Sequence, residues 1–201
     1  MSFCEPSWAK IFLAVFGMLP IIAAAQPRTI EQRTRQYISP DGSVLVEISS
    51  VGKEPGLADY ESRIKFQAGD GTISCTLDYS SEDSEHGCGV VKAEWTPDSQ
   101  YFVYSLASSG GHQAWHAPTQ FLSRGDGKVR SLDDYFEIGI TSPDFRIIAP
   151  NTIRIEVQSE AETPVSASVK LSALPRLRSW RRSRPFALKC TGSRIFRLDN
   201  P

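Results

Sequence analysis

The sequence predicts an all-β protein built from antiparallel sheets. Three observations carry that prediction. Apolar residues recur at period two in most segments, helical periodicity is missing beyond residue 25, and glycine- and proline-based turns separate the alternating runs. Val44, Val46 and Ile48 mark the first candidate strand. Further strands are expected over residues 62–67, 72–78, 90–95, 119–124 and 128–132. The run from Tyr101 to Leu106 is apolar on both faces and reads as a central strand covered on both sides. Ile153, Ile155 and Val157 alternate with Arg154, Glu156 and Gln158, the pattern of a strand with one buried face. Val169, Leu171 and Ala173 alternate in the same way, so a strand is expected through residue 173.

Turn chemistry supports these boundaries. Gly69-Asp70-Gly71 and Gly125-Asp126-Gly127 each join two runs, and glycine accepts the positive φ that tight hairpin turns require. A tripeptide class also repeats: Ser39-Pro40-Asp41, Thr96-Pro97-Asp98 and Ser142-Pro143-Asp144, at spacings of 57 and 46 residues. Proline presets φ at the second position of a type I turn, and the hydroxyl and carboxylate bond nearby backbone groups. Each tripeptide precedes an apolar run, and a period of this length is that of a propeller blade.

The stretch Ala93-Glu94-Trp95-Thr96-Pro97-Asp98-Ser99-Gln100-Tyr101-Phe102-Val103-Tyr104 resembles the blade signature of TolB-type periplasmic propellers, in which an aromatic residue precedes Ser-Pro-Asp-Gly and a strand follows. Residues 35–48 and 139–149 match it more loosely. The resemblance implies sheets of propeller-blade type and carries no catalytic residue. Closed propellers have 4–8 blades, and three turns are present here. A small or incomplete propeller and a β-sandwich are therefore the two architectures expected. Residues 95–135 also resemble exported bacterial proteins of unknown function.

Lys10 ends a short polar start, residues 11–22 are almost wholly apolar, and Ala23-Ala24-Ala25 precede Gln26-Pro27. That order is the signature of a secretory signal peptide, and the apolar run is shorter than the roughly 20 residues of a spanning helix. The expected organisation is a signal peptide over residues 1–25, an all-β domain over 26–174 and a basic C-terminal tail over 175–201. A periplasmic or secreted location follows, with no membrane association of the mature chain. The net charge of −1 conceals an asymmetry: residues 26–162 carry −9 and residues 163–201 carry +8. An acidic body with a basic tail marks that tail as a candidate interaction segment.

In an oxidising compartment, cysteines pair. Cys75 and Cys88 flank the acidic segment 78–87 near the ends of expected strands, so a Cys75–Cys88 disulfide is expected, leaving Cys190 over. His112 and His116 are spaced H-x3-H with Trp115 between them. Zinc requires three or four ligands and no third is signalled, so no metal is expected; His112, Trp115 and His116 are instead expected to contact a ligand or partner. The tail residues Arg176, Arg178, Trp180, Arg181, Arg182 and Arg184 could grip a polyanion through guanidinium bonding and stacking. No nucleophile-elbow or phosphate-loop motif occurs, and no cofactor, nucleotide or other, is expected. The function expected is a non-catalytic exported module that binds a protein or another envelope macromolecule. The alternatives are an envelope hydrolase using His112 or His116, and a polyanion-binding protein using the arginine-rich tail.

Overall fold

A computed structural model describes residues 34–51, 61–69, 71, 74–83, 86–109, 115–136, 139–158, 163–176 and 189–191. Its strands, in chain order, are β1 (Thr34–Ile38), β2 (Val44–Val51), β3 (Glu61–Ala68), β4 (Ser74–Asp78), β5 (Cys88–Trp95), β6 (Tyr101–Ser108), β7 (Thr119–Ser123), β8 (Lys128–Ser131), β9 (Arg146–Ile148), β10 (Thr152–Gln158), β11 (Pro164–Lys170) and β12 (Lys189–Thr191). A single helical turn, α1 (Asp133–Phe136), and a 3-10 segment (Leu171–Arg176) complete the described elements. The strands form three antiparallel sheets, ordered β1-β2-β3-β4-β12, β5-β6-β7-β8 and β11-β10-β9. The expected all-β class of antiparallel sheets is therefore observed.

The apolar pattern of each strand dictates how the sheets stack. In the first sheet, Val44, Val46, Ile48, Ile64 and Phe66 point inward, whereas Glu47, Arg63 and Lys65 occupy the other face. The third sheet buries Ile153, Ile155 and Val157 and exposes Arg154 and Glu156. Only the middle sheet is apolar on both faces. Phe102, Tyr104 and Leu106 pack toward the first sheet, and Val103 and Phe121 toward the third. The result is a three-layer stack with two cores. Phe102 anchors the first core, with ring centroids of Trp95, Tyr37 and Phe66 at 5.1, 5.6 and 6.1 Å. A closed ring of blades needs two apolar faces on every sheet, and the polar outer faces of the first and third sheets stop the stack at three layers.

The strands run alternately toward two ends of the stack. At one end lie the short turns. Ser39 accepts a bond from the Gly42 amide at 2.7 Å, and Thr96 accepts one from Ser99 at 2.9 Å. The Ser39 and Thr96 hydroxyls donate to Asp41 and Asp98, each at 2.6 Å. Gly42 and Ser99, which follow the aspartates, have φ of 73° and 58°. Glycine tolerates this backbone and serine is strained in it. Ser99 makes a bond in return: its hydroxyl accepts from the Asp41 amide at 3.1 Å and so joins the first two sheets. Each aspartate uses its second oxygen to hold the next layer. Asp41 binds Arg124 at 2.5 Å, and Asp98 accepts from Asn151 at 2.6 Å. Burial works to raise the Asp41 carboxyl, but bonds from Arg124, Ser39 and Ser43 outweigh it and hold its pKa well below the usual carboxylate range.

Three expectations are corrected. First, Ser142-Pro143-Asp144 does not form the third equivalent turn. It lies ahead of β9, and Ala149-Pro150-Asn151 takes the position between paired strands, with Asn151 doing the bonding. Second, the strand expected through residue 173 ends at Lys170. The following segment turns into a 3-10 helix that buries Leu171 and Leu174, whose spacing of three puts them on one face; Pro175 has no N–H to extend a ladder. Third, Cys75 pairs with Cys190, not with Cys88. β12 lies beside β4 with Cys190 directly opposite Cys75. The Cys88 amide bonds the Tyr79 carbonyl at 2.9 Å, and Tyr79 lies four residues beyond Cys75, about 13 Å along an extended chain. β4 and β5 belong to different sheets, so the hairpin that would have joined Cys75 to Cys88 does not form. A disulfide is present, as an exported chain predicts, and no helix among the described residues is long and apolar enough to cross a membrane.

Candidate functional site

The end of the stack opposite the short turns carries the long connections. One of them, between β6 and β7, spans residues 109–118 and contains Trp115 and His116. Its two feet are fixed on different layers. At the first foot, the Ser109 amide donates to the Gly87 carbonyl at 3.0 Å and its hydroxyl to Glu61 at 3.0 Å. At the second, the Leu106 amide bonds Pro118 at 2.9 Å and the Ala117 amide bonds Ile140 at 2.7 Å. The two described feet of the connection are therefore tied to different neighbours of the middle sheet.

At the second foot stands an ordered aromatic group. His116 Nε2 lies 2.7 Å from Asp133 Oδ1. Asp133 is itself held by the Thr119 amide at 3.2 Å, the Ser131 hydroxyl at 3.0 Å and the Ile140 amide at 3.2 Å. The carboxylate thus fixes the ring nitrogen it binds, and three bonds fix the carboxylate. Trp115 stacks on this imidazole with ring centroids 5.4 Å apart and planes inclined by 24°. A side chain at Gly139 would bring its Cβ within 3.2 Å of the Trp115 ring and 3.6 Å of the His116 ring, so glycine there makes room for the pair. Trp115 is 60% exposed. An indole that would ordinarily be covered is held open to solvent by a three-residue support.

At the first foot, Glu61 is 2% exposed and saturated with donors: the Ser81 amide at 2.8 Å, the Ser81 hydroxyl at 2.5 Å, the Gly87 amide at 2.8 Å and the Ser109 hydroxyl. Burial raises its carboxyl, but these bonds prevail and the net pKa is lowered. A Cβ at Gly87 would sit 2.2 Å from Glu61 Oε1, so only glycine fits beside the carboxylate. Cys88 follows. Burial first, then the negative charge of Glu61, pushes its thiol pKa upward, which keeps it protonated and a poor nucleophile. Below this cluster, Gln120 accepts from Tyr79 at 2.5 Å and from Tyr104 at 2.9 Å in the core between the first two sheets.

Of the residues expected from sequence to bind, Trp115 and His116 are brought together. His112, Arg178, Trp180, Arg181, Arg182 and Arg184 lie outside the described residues, as does the side chain of Arg176. No group of three or more His, Cys, Asp or Glu residues placed to hold a metal occurs among the described residues. In the acidic segment after β4, Asp78 pairs with Arg63 at 2.7 Å and Asp83 with His86 at 2.5 Å. Asp133 and Glu61 were not legible as site residues. Neither residue stands in a sequence motif. The class the fold and site define is a three-layer antiparallel β domain with an anchored aromatic on its long-connection end. Compared with known protein families and with curated proteins, the chain matches none.

Proposed function

We propose that this chain is an exported, non-catalytic β domain of the bacterial envelope, periplasmic or secreted, that captures another macromolecule at its long-connection end. Trp115 is the anchor. One observation carries the reading: a tryptophan 60% exposed to solvent, yet fixed by stacking on an imidazole that a buried-side carboxylate holds. Rigid aromatic side chains dominate binding surfaces because they offer large apolar area at little entropic cost. The signal-like start and the disulfide support the extracytoplasmic setting. The repeated turns at Ser39–Asp41 and Thr96–Asp98, placed alike in successive sheets, support kinship with TolB-type blades. Ser109, three residues before His112, has its hydroxyl turned to Glu61 and the Gly87 carbonyl, which favours binding over serine-based hydrolysis.

The test is capture from an envelope extract with the wild type and Trp115→Ala, after both are shown to melt at the same temperature. The wild type is expected to retain a partner that the variant loses. Identical partner sets would remove Trp115 as the anchor.

A further inference from the structure

Exposed sheet edges invite pairing with another chain, and proteins blunt them with charge, bulges or shortness. Nearly every edge of this stack is blunted in that way. β5 is bulged between Val90 and Lys92, and the Arg35 guanidinium covers its Val90 and Val91 carbonyls at 2.5 and 3.3 Å. β1 carries Arg35 itself, and β8 is four residues long with Lys128 and Arg130. β9 and β12 are three residues each, and β9 carries Arg146.

β11 differs. It is seven residues long, mostly exposed, and has no described strand on its outer side. Between Pro164 and Lys170 it reads Val165-Ser166-Ala167-Ser168-Val169, without charge and identical in both directions. The ladder phase adds to this. The Leu171 amide bonds the Asn151 carbonyl at 2.9 Å, in register with the β10–β11 pairs. Alternation then assigns Val165, Ala167 and Val169 to bonding with β10, and turns the backbone groups of Ser166, Ser168 and Lys170 outward. Pro164, which lacks an N–H, falls on an outward position, so the edge is blunted at its two ends by Pro164 and Lys170 and open between them.

We infer that the outer edge of β11 is a self-association surface, on which a second copy of this chain adds its own β11 antiparallel about a two-fold axis through Ala167. In that register Ser166 and Ser168 exchange main-chain bonds with Ser168 and Ser166 of the second copy. Val165, now 44% exposed on the inner face, meets Val169 of the second copy. The apolar row beneath the sheet continues across the axis, and the two third sheets become one six-stranded sheet. A single strand-edge contact lies at the small end of interface sizes, so association is concentration-dependent. This surface lies apart from Trp115 and does not depend on the reading of that site.

Sedimentation equilibrium of the purified protein tests it. The wild type is expected to approach twice the single-chain mass as concentration rises. Ser168→Pro removes an outward N–H and no β10 bond, and is expected to stay at single-chain mass with an unchanged circular dichroism spectrum. Ser166→Lys, which places a charge on the same edge, should behave alike and serves where the proline variant does not fold. A wild type that keeps single-chain mass throughout overturns the inference. So does either folded variant that still doubles, or a doubling that Trp115→Ala abolishes.

Discussion

The two ends of the stack are built on opposite plans. At the short-turn end, ionic, side-chain and main-chain bonds tie layer to layer: Arg124, 3% exposed, binds the exposed Asp41 and the Ser99 carbonyl, and Asn151 binds Asp98. The Cys75–Cys190 bond lies in the half of β4 nearest this end. At the long-connection end, carboxylates are surrounded mainly by neutral donors, hydroxyls and backbone amides, and an indole is left uncovered. One end spends its polar groups on joining the sheets. The other spends them on holding the connections, whose feet it ties to neighbouring layers. Binding residues belong on loops held by a rigid scaffold, and here the rigidity is concentrated at the far end from the proposed anchor.

Substitutions can break this contrast. The largest effect is expected from Cys190→Ser. The disulfide closes a separation of 115 residues, and the chain-entropy account assigns a loop of that size about 5 kcal/mol; urea unfolding with and without reductant measures it, and reductant should leave the variant unchanged. Arg124→Ala leaves the Ser99 carbonyl without its donor and empties the buried guanidinium's place, while the exposed Asp41 carboxylate regains water, and about 2 kcal/mol of unfolding free energy should be lost. At the opposite end, Glu61→Gln sets an amide N–H against the donors of Ser81 or Gly87, with a cost of about 2 kcal/mol. This last effect carries a pH signature. Because the folded-state pKa of Glu61 is lowered, its contribution is complete above the ordinary carboxylate pKa and disappears as pH falls through the lowered value. The melting temperatures of wild type and Glu61→Gln should converge on acidification; a gap that stays constant would assign the loss to packing. The smallest change in stability, within about 0.5 kcal/mol, is expected of Trp115→Ala, whose side chain is mostly in water.

Legibility in the sequence followed burial. β2, β3, β5, β6, β7 and β10 are half- or fully buried strands, and alternation or continuous apolarity exposes them. β6 was even assignable to the centre, because Phe102, Val103 and Tyr104 leave no polar face. β1 was not legible as a strand of its own: Thr34-Arg35-Gln36-Tyr37-Ile38 is an edge strand mostly open to water, so nothing in its composition alternates. β12 is three residues long and is held by a partner 115 residues away, which no local pattern can encode. The disulfide was misread for the same reason. Proximity in sequence favoured Cys88, whereas sheet order, a long-range property, brings Cys190 to Cys75. At the candidate site, Trp115 and His116 stood out by residue type. Asp133 and Glu61 did not, because a carboxylate becomes a support only through the amides and hydroxyls that converge on it in space.

The polar outer faces of the first and third sheets have an evolutionary consequence. Lengthening this stack by duplicating a sheet would bury Arg154 and Glu156, or Arg63 and Lys65, against a new neighbour. Each uncompensated charge so enclosed costs several kcal/mol, comparable with the whole stability of a domain this size. Growth by repetition is therefore closed to this lineage until those rows are rewritten to aliphatic residues, whereas enlargement through the connecting loops meets no such barrier.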